Sequence, residues 1–129
     1  MSNQPAHAAL VVDDNWYNRD LSTLALKHVG YQVAEAQDGL EALKLLEERT
    51  FDLLVLDLSM PEVDGATVLR TVRGRAMHKK MLVIVMTANP HMTTEEIDGE
   101  ADFIMYKPIN ITEFAEFVGR LKQSRTPIC

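Results

Sequence analysis

Short apolar runs alternate with amphipathic stretches along the chain. Ala9-Leu10-Val11-Val12 stops at Asp13-Asp14; the run is too short for a buried helix and reads as a buried strand. From Asn15 to Val29 the spacing becomes helical, with Leu21, Leu24, Ala25 and His28 on one face and Gly30 where a C′ glycine belongs. Tyr31 to Ala36 alternates as a second strand. Asp38-Gly39-Leu40-Glu41 has the form of a capping box, ahead of a helix that should turn Leu40, Leu43 and Leu46 inward. Phe51 to Leu56, the most apolar strand, stops at Asp57, and Ser59 to Gly65 reads as a loop. Ala66 to Arg75 is a third helix with Val68, Leu69 and Val72 as its stripe. Met81 to Met86 is a fourth strand, ending at Thr87-Ala88. Thr93-Thr94-Glu95-Glu96 starts a short fourth helix, and Asp102 to Tyr106 is a fifth strand ending at Lys107-Pro108. Asn110-Ile111-Thr112-Glu113 caps a last helix expected to bury Ile111, Phe114, Val118 and Leu121.

Strands that alternate with helices imply a parallel sheet covered on both faces. Right-handed crossovers then give a doubly wound α/β layout. In such a sheet, ligands bind outside the carboxyl ends of the strands at the topological switch point. The strand ends here carry Asp13-Asp14, Asp57, Thr87 and Lys107. Three carboxylates in one cleft repel one another, and a hard divalent cation removes that penalty. Mg²⁺ suits the set, since it takes one or two carboxylates, several waters and a phosphate. The lysine offers a second positive charge for phosphate oxygens, and the Thr87 hydroxyl a hydrogen bond. An aspartate placed there can attack phosphorus and become an aspartyl phosphate.

Composition narrows the partners. The 129 residues suit one domain, expected over 8–123, between a disordered lead-in at 1–7 and a flexible tail at 124–129. Nineteen acidic against 13 basic residues, a net charge of −6, disfavour nucleic acid as the main partner. The basic run Arg70, Arg73, Arg75, Lys79 and Lys80 then reads as a solvated helix end. The four histidines lack ligand spacing. The one cysteine, Cys129, cannot form an internal disulfide, which is compatible with a cytoplasmic location. No apolar run approaches membrane-spanning length.

The chain resembles the receiver domains of two-component response regulators, including the chemotaxis type, from about Leu10 to Leu121. The matching pieces are Val11-Val12-Asp13-Asp14, Gly30-Tyr31, Ala36-Gln37-Asp38-Gly39, Leu54-Val55-Leu56-Asp57-Leu58-Ser59-Met60-Pro61, Asp64-Gly65, Thr87-Ala88 and Lys107-Pro108. The resemblance implies a flavodoxin-like five-stranded sheet of order 2-1-3-4-5. It implies Asp57 as phosphoacceptor and Mg²⁺ held by Asp14, by Asp13 through a water, by Asp57 and by the backbone carbonyl of Ser59. It further implies Thr87 moving to the phosphoryl group, Lys107 pairing with Asp57 and then the phosphate, and a cis Lys107–Pro108 bond. The donor would be a sensor histidine kinase or a histidine phosphotransfer protein. Such a domain is not an enzyme beyond its own phosphorylation and dephosphorylation. Its output would be contact with a protein, a second copy of the chain included, whether it stands alone or is a piece of a larger protein.

Each signal alone has a plainer reading. Asp13-Asp14 could be a helix N-cap pair, Asp57 a turn residue, Thr87 a strand terminus and Lys107 a solvated lysine. Their coincidence at strand ends favours the site. A haloacid-dehalogenase-type phosphatase needs an acid two places after its nucleophile, where this chain has Ser59. A flavodoxin-like flavin binder would want a glycine- and hydroxyl-rich loop in place of Asp13-Asp14-Asn15. A degenerate receiver that only binds partners would not need the acidic and lysine positions intact. The chain departs from the family at Ile104, where an aromatic switch residue is usual, with Phe103 and Tyr106 out of phase, and in the stretch from Thr87 to Lys107, which is shorter than in many members and contains Pro90. With β-branched Ile104 stiff at χ1, activation should spread through Asn89 to Met92.

Overall fold

In a computed structural model of the protein, the described residues are 7–58, 65–75, 78, 80–88 and 99–125. They form β1 (Ala8–Val12), α1 (Trp16–His28), β2 (Gln32–Ala36), α2 (Gly39–Glu48), β3 (Leu53–Asp57), α3 (Gly65–Arg73), β4 (Leu82–Thr87), β5 (Phe103–Tyr106) and α4 (Ile111–Arg125). All strand pairs are parallel, in the order β2-β1-β3-β4-β5. The helix expected from Thr93 lies outside the described residues. So do Ser59 and the loop through Asp64, Asn89 to Met92, and residues 1–6 and 126–129. α4 runs to Arg125, into the segment expected to be a tail. His7, assigned to the lead-in, accepts a hydrogen bond from the Gln32 amide and stacks edge-on against Tyr31.

The alternation of side chains along each strand builds two cores. On one face Leu10, Val12, Leu54, Leu56, Val83 and Val85 pack with Ala42 and Leu46 of α2 and Val68, Leu69 and Val72 of α3. On the other, Ala9, Val11, Leu53, Val55, Ile84 and Met86 pack with Ala25 and Leu26 of α1 and Phe114 and Val118 of α4. β3, flanked on both sides and covered on both faces, is buried throughout, which is why its sequence lacks polar alternation.

The helices sit rotated from the sequence expectation. α1 buries Ser22, Thr23, Ala25 and Leu26, whereas Leu24 and His28 face solvent. Leu40 and Ile111, expected inside, are also exposed. In each case the apolar stripe at helical spacing was wider than the contact with the sheet. Asp38 accepts from the Glu41 amide and Asn110 from the Glu113 amide, as the caps require. Gly30 has φ +98°, and the amides of Gly30 and Tyr31 bond the carbonyls of Lys27 and Leu26. That is a Schellman turn, closed by Tyr31 packing into the same core as Leu26.

The basic run is not simply solvated. Arg73 donates to the carbonyls of Glu100 and Met81 and pairs with Asp102 at 2.7 Å. The same Asp102 oxygen accepts from the Val83 amide. Arg73 therefore ties α3 to the starts of β4 and β5, and Arg75 pairs with Glu47 of α2. His78 is buried, and its Nε2 donates to the carbonyl of Leu46 at 3.0 Å, near the α2 C-terminus where carbonyls lack helical partners. Burial holds this imidazole below its ordinary pKa; the Leu46 carbonyl opposes that shift and the nearby Arg75 charge adds to it. Among the described residues its Nδ1 has no hydrogen-bond partner.

Candidate functional site

β1 pairs with β2 on one side and β3 on the other, so the winding direction reverses there and a crevice opens beyond the carboxyl ends of β1 and β3. Asp13 follows β1, and its amide continues the ladder to the Ala36 carbonyl. Asp57 is the last residue of β3. Thr87 ends β4, fully buried, and its carbonyl accepts from the Lys107 amide. The Lys107–Pro108 bond is cis.

The side chains converge as the strand ends suggested. Oxygens of Asp13, Asp14 and Asp57 all lie within 4.8 Å of one another. Asp13 and Asp57 are buried, and Asp14 is exposed at the mouth. Lys107 crosses the crevice and pairs with both buried carboxylates, at 3.1 Å to Asp13 and 3.3 Å to Asp57. Burial pulls the Lys107 pKa down, but the hydrogen bond to Asp13 and the charges of Asp57 and Asp13 outweigh it, so the pKa is raised. The pairing with Asp13 goes beyond the sequence expectation, which gave Lys107 only Asp57. Asn15, not the aspartate pair, caps α1, accepting from the amides of Tyr17 and Asn18. Asp13 Oδ1 instead accepts from the Asn15 amide, which leaves the pair available for chemistry.

The donor set fits a hard divalent cation. All three side chains are carboxylates, two share the ammonium of Lys107, and the third faces solvent where metal-bound waters would sit. The fourth expected ligand, the Ser59 carbonyl, lies outside the described residues.

A receiver-domain family model for response regulators matches residues 9–119, nearly the whole chain. The chain belongs to the response-regulator receiver family. Response regulator MprA from a Mycobacterium species (strain KMS) is 33% identical over 118 residues, covering 92% of this chain and 51% of that protein. The receiver thus spans about half the length of the regulators it matches. A CAI-1 autoinducer sensor kinase/phosphatase from Vibrio cholerae is 38% identical over 59% of this chain and 11% of its own length. Among solved structures, response regulator TrrA from Thermotoga maritima, in complex with Mg²⁺ and BeF, superposes with TM-score 0.79 at 33% identity, covering 89% of this receiver and 98% of that chain.

Two features of the receiver were not visible in its sequence, and one expectation, which strand alternation alone contradicts, is corrected. Arg19 donates to the Asp13 carbonyl, and Glu35 pairs with Arg19. Gly65 packs so closely on the end of β3 that an added Cβ would stand 2.4 Å from the Asp57 carbonyl oxygen. Tyr106 was expected out of phase with Ile104. The alternation places the two on the same side of β5, opposite Phe103 and Met105, with Tyr106 exposed.

Proposed function

We propose that this receiver takes its phosphoryl group on Asp57, with Mg²⁺ held by Asp13, Asp14, Asp57 and the backbone carbonyl of Ser59. The observation that carries the reading is the convergence of a buried Asp57 with Lys107 at 3.3 Å and with two more carboxylates. The Mg²⁺–BeF complex of the Thermotoga relative supports the choice of metal. Bound there, Mg²⁺ would neutralise charge on the carboxylates and on the phosphoryl oxygens.

This chain's own groups do the rest. One Asp57 oxygen attacks phosphorus while the bond to the donor's imidazole nitrogen breaks, and that nitrogen keeps the electron pair. Lys107, already charged and held in place by Asp13, exchanges its pairing with Asp57 for the phosphoryl oxygens. Because that charge already stands in the crevice beside Asp57, the exchange needs little reorganisation as the reaction proceeds. The hydroxyl of Thr87, at the end of the neighbouring strand, then donates to a phosphoryl oxygen, a charge-assisted bond worth more than a neutral one. That exchange of partners is the start of the conformational signal.

The donor is a phosphohistidine, on a sensor kinase or a phosphotransfer protein, and a cytoplasmic setting goes with it. None of the described helices is long and apolar enough to cross a membrane. Output runs through protein contact, with a downstream partner or a second copy of the chain.

Intact mass after incubation with Mg²⁺ and acetyl phosphate tests the assignment. The wild type should gain one phosphoryl group and Asp57→Asn none. Modification of Asp57→Asn elsewhere at a similar rate would sink it.

A further inference from the structure

Arg19 and Glu35 have no part in the chemistry above, yet they meet behind it. The Arg19 amide bonds the carbonyl of Asn15, the α1 N-cap, at 3.0 Å. Helical side chains lean toward the N-terminus, so from this position the guanidinium reaches back over the first turn. There Nη1 donates to the carbonyl of Asp13 at 2.8 Å, and Nε donates to Glu35 at 3.1 Å. Glu35 lies on β2 opposite Val11. It is two residues after Val33, which packs into the core beneath α1, so the sheet's alternation turns Glu35 toward α1 as well. The Arg19 side chain is 18% exposed. It is a planar fork held at two points, not a free surface cation.

We propose that Arg19, braced by Glu35, is a positioning residue for the Asp13–Asp14 pair; the inference rests on reading that pair as Mg²⁺ ligands. Asp13 is held at its amide by Ala36, at Oδ1 by the Asn15 amide and at Oδ2 by Lys107. Arg19 holds its carbonyl. That carbonyl shares one rigid peptide plane with the amide of Asp14, so whatever fixes the carbonyl fixes the direction in which the chain leaves toward Asp14. Asp14 needs this. It is exposed, and among the described residues no hydrogen bond anchors its carboxylate. Mg²⁺ demands near-ideal octahedral geometry, so a carboxylate left to wander binds it poorly.

Charge alone predicts the opposite sign, which makes the inference separable. Removing a cation near an acidic cluster should tighten Mg²⁺ binding if Arg19 acts only through space. Loss of positioning should weaken it. The experiment is calorimetric titration of MgCl₂ into the full chain, for wild type, Arg19→Met and Arg19→Lys, with metal-free thermal melts alongside. Arg19→Met should raise the Mg²⁺ Kd roughly tenfold, the scale of partners that orient metal ligands. Arg19→Lys keeps the charge but lacks the two-point fork, and its Kd should fall between the other two. A structural brace alone would lower the melting midpoint and leave the Kd in place. An unchanged or tighter Kd in Arg19→Met overturns the proposal. Should that variant not fold, an unchanged Kd in Arg19→Lys does so. A wild type that binds no Mg²⁺ would remove the reading of the cluster itself. Wild-type binding with unchanged variants removes only the role of Arg19.

Discussion

Gly65→Ala should slow phosphorylation and lower stability together. A methyl group at Gly65 would stand 2.4 Å from the Asp57 carbonyl oxygen and 2.7 Å from the Leu58 Cα, where ordinary contact begins at 3.4 Å. Both obstacles are backbone, so no rotamer change relieves them. The start of α3 and the end of β3 must separate by about 1 Å to reach ordinary contact. β3 is clamped between β1 and β4, so most of that movement falls on α3 and on the Asp57–Leu58 peptide. Forcing an extra methyl into packed surroundings costs about 1–3 kcal/mol, which for a domain of this size lowers the thermal midpoint by roughly 4–15 °C. A 1 Å displacement of a reacting group costs on the order of a hundredfold in rate; with the shift shared between two segments, the loss should be roughly ten- to a hundredfold. The assay is an intact-mass time course with acetyl phosphate and Mg²⁺, run well below both melting midpoints. A wild-type rate and midpoint would refute the steric argument. A lowered midpoint with a wild-type rate would show that α3 absorbs the whole shift and that Gly65 does not hold the phosphoacceptor.

Four further outcomes follow from the site and core. Asp14→Ala should weaken Mg²⁺ binding far more than Ser59→Ala, because Asp14 offers a charged side chain and Ser59 only its backbone; equal Kd values by calorimetry would contradict this. Lys107→Ala should still accept some phosphate, yet show smaller amide NMR shifts with beryllofluoride than the wild type, and equal shifts would refute the coupling role. The raised Lys107 pKa also stabilises the fold at pH values below the unfolded lysine's 10.5 and ceases to do so as pH rises through the folded value. Denaturation midpoints should therefore fall more steeply in the wild type than in Lys107→Ala as pH rises above 10.5, with no such difference in slope below it. His78 has the reverse linkage: its folded pKa is lowered, so the unfolded chain takes up the proton first. Stability should be lost as pH falls below 6.5, by at most about 1.4 kcal/mol per pH unit. His78→Gln should flatten that slope between pH 7.5 and 5.5, and an unchanged slope would show that the buried imidazole is not its source.

Much of this receiver was legible in one dimension because its determinants are local. A parallel strand buried on both faces must be a short apolar run, and Leu53–Leu56 is one. A helix end leaves amides unpaired, so Asp38 and Asn110 stand where caps are needed, although at α1 the cap is Asn15 and not the aspartate pair before it. A doubly wound sheet brings strand ends to one edge, so Asp13, Asp57, Thr87 and Lys107 could be grouped before any coordinates. Helix orientation was less legible. Leu24, His28, Leu40 and Ile111 have the periodicity of an inward face, but periodicity states only which residues share a side. Which side meets the sheet depends on how each helix crosses it.

Tertiary structure alone decided the contacts that tune the site. Lys107 reaches Asp13 across 94 residues of chain. Arg19 bonds a backbone carbonyl, and every residue has one, so no residue type marks the partner in advance. Gly65 is required by a carbonyl oxygen that approaches it from another element. Arg73 looked like one of several surface cations until β4 and β5 supplied its acceptors. The sequence determined which groups exist and on which elements they ride, because turns, caps and periodicity act over a few residues. Distances between those elements follow from packing the whole sheet, where each helix settles against side chains far away in sequence, and only there do spacing and charge become a site.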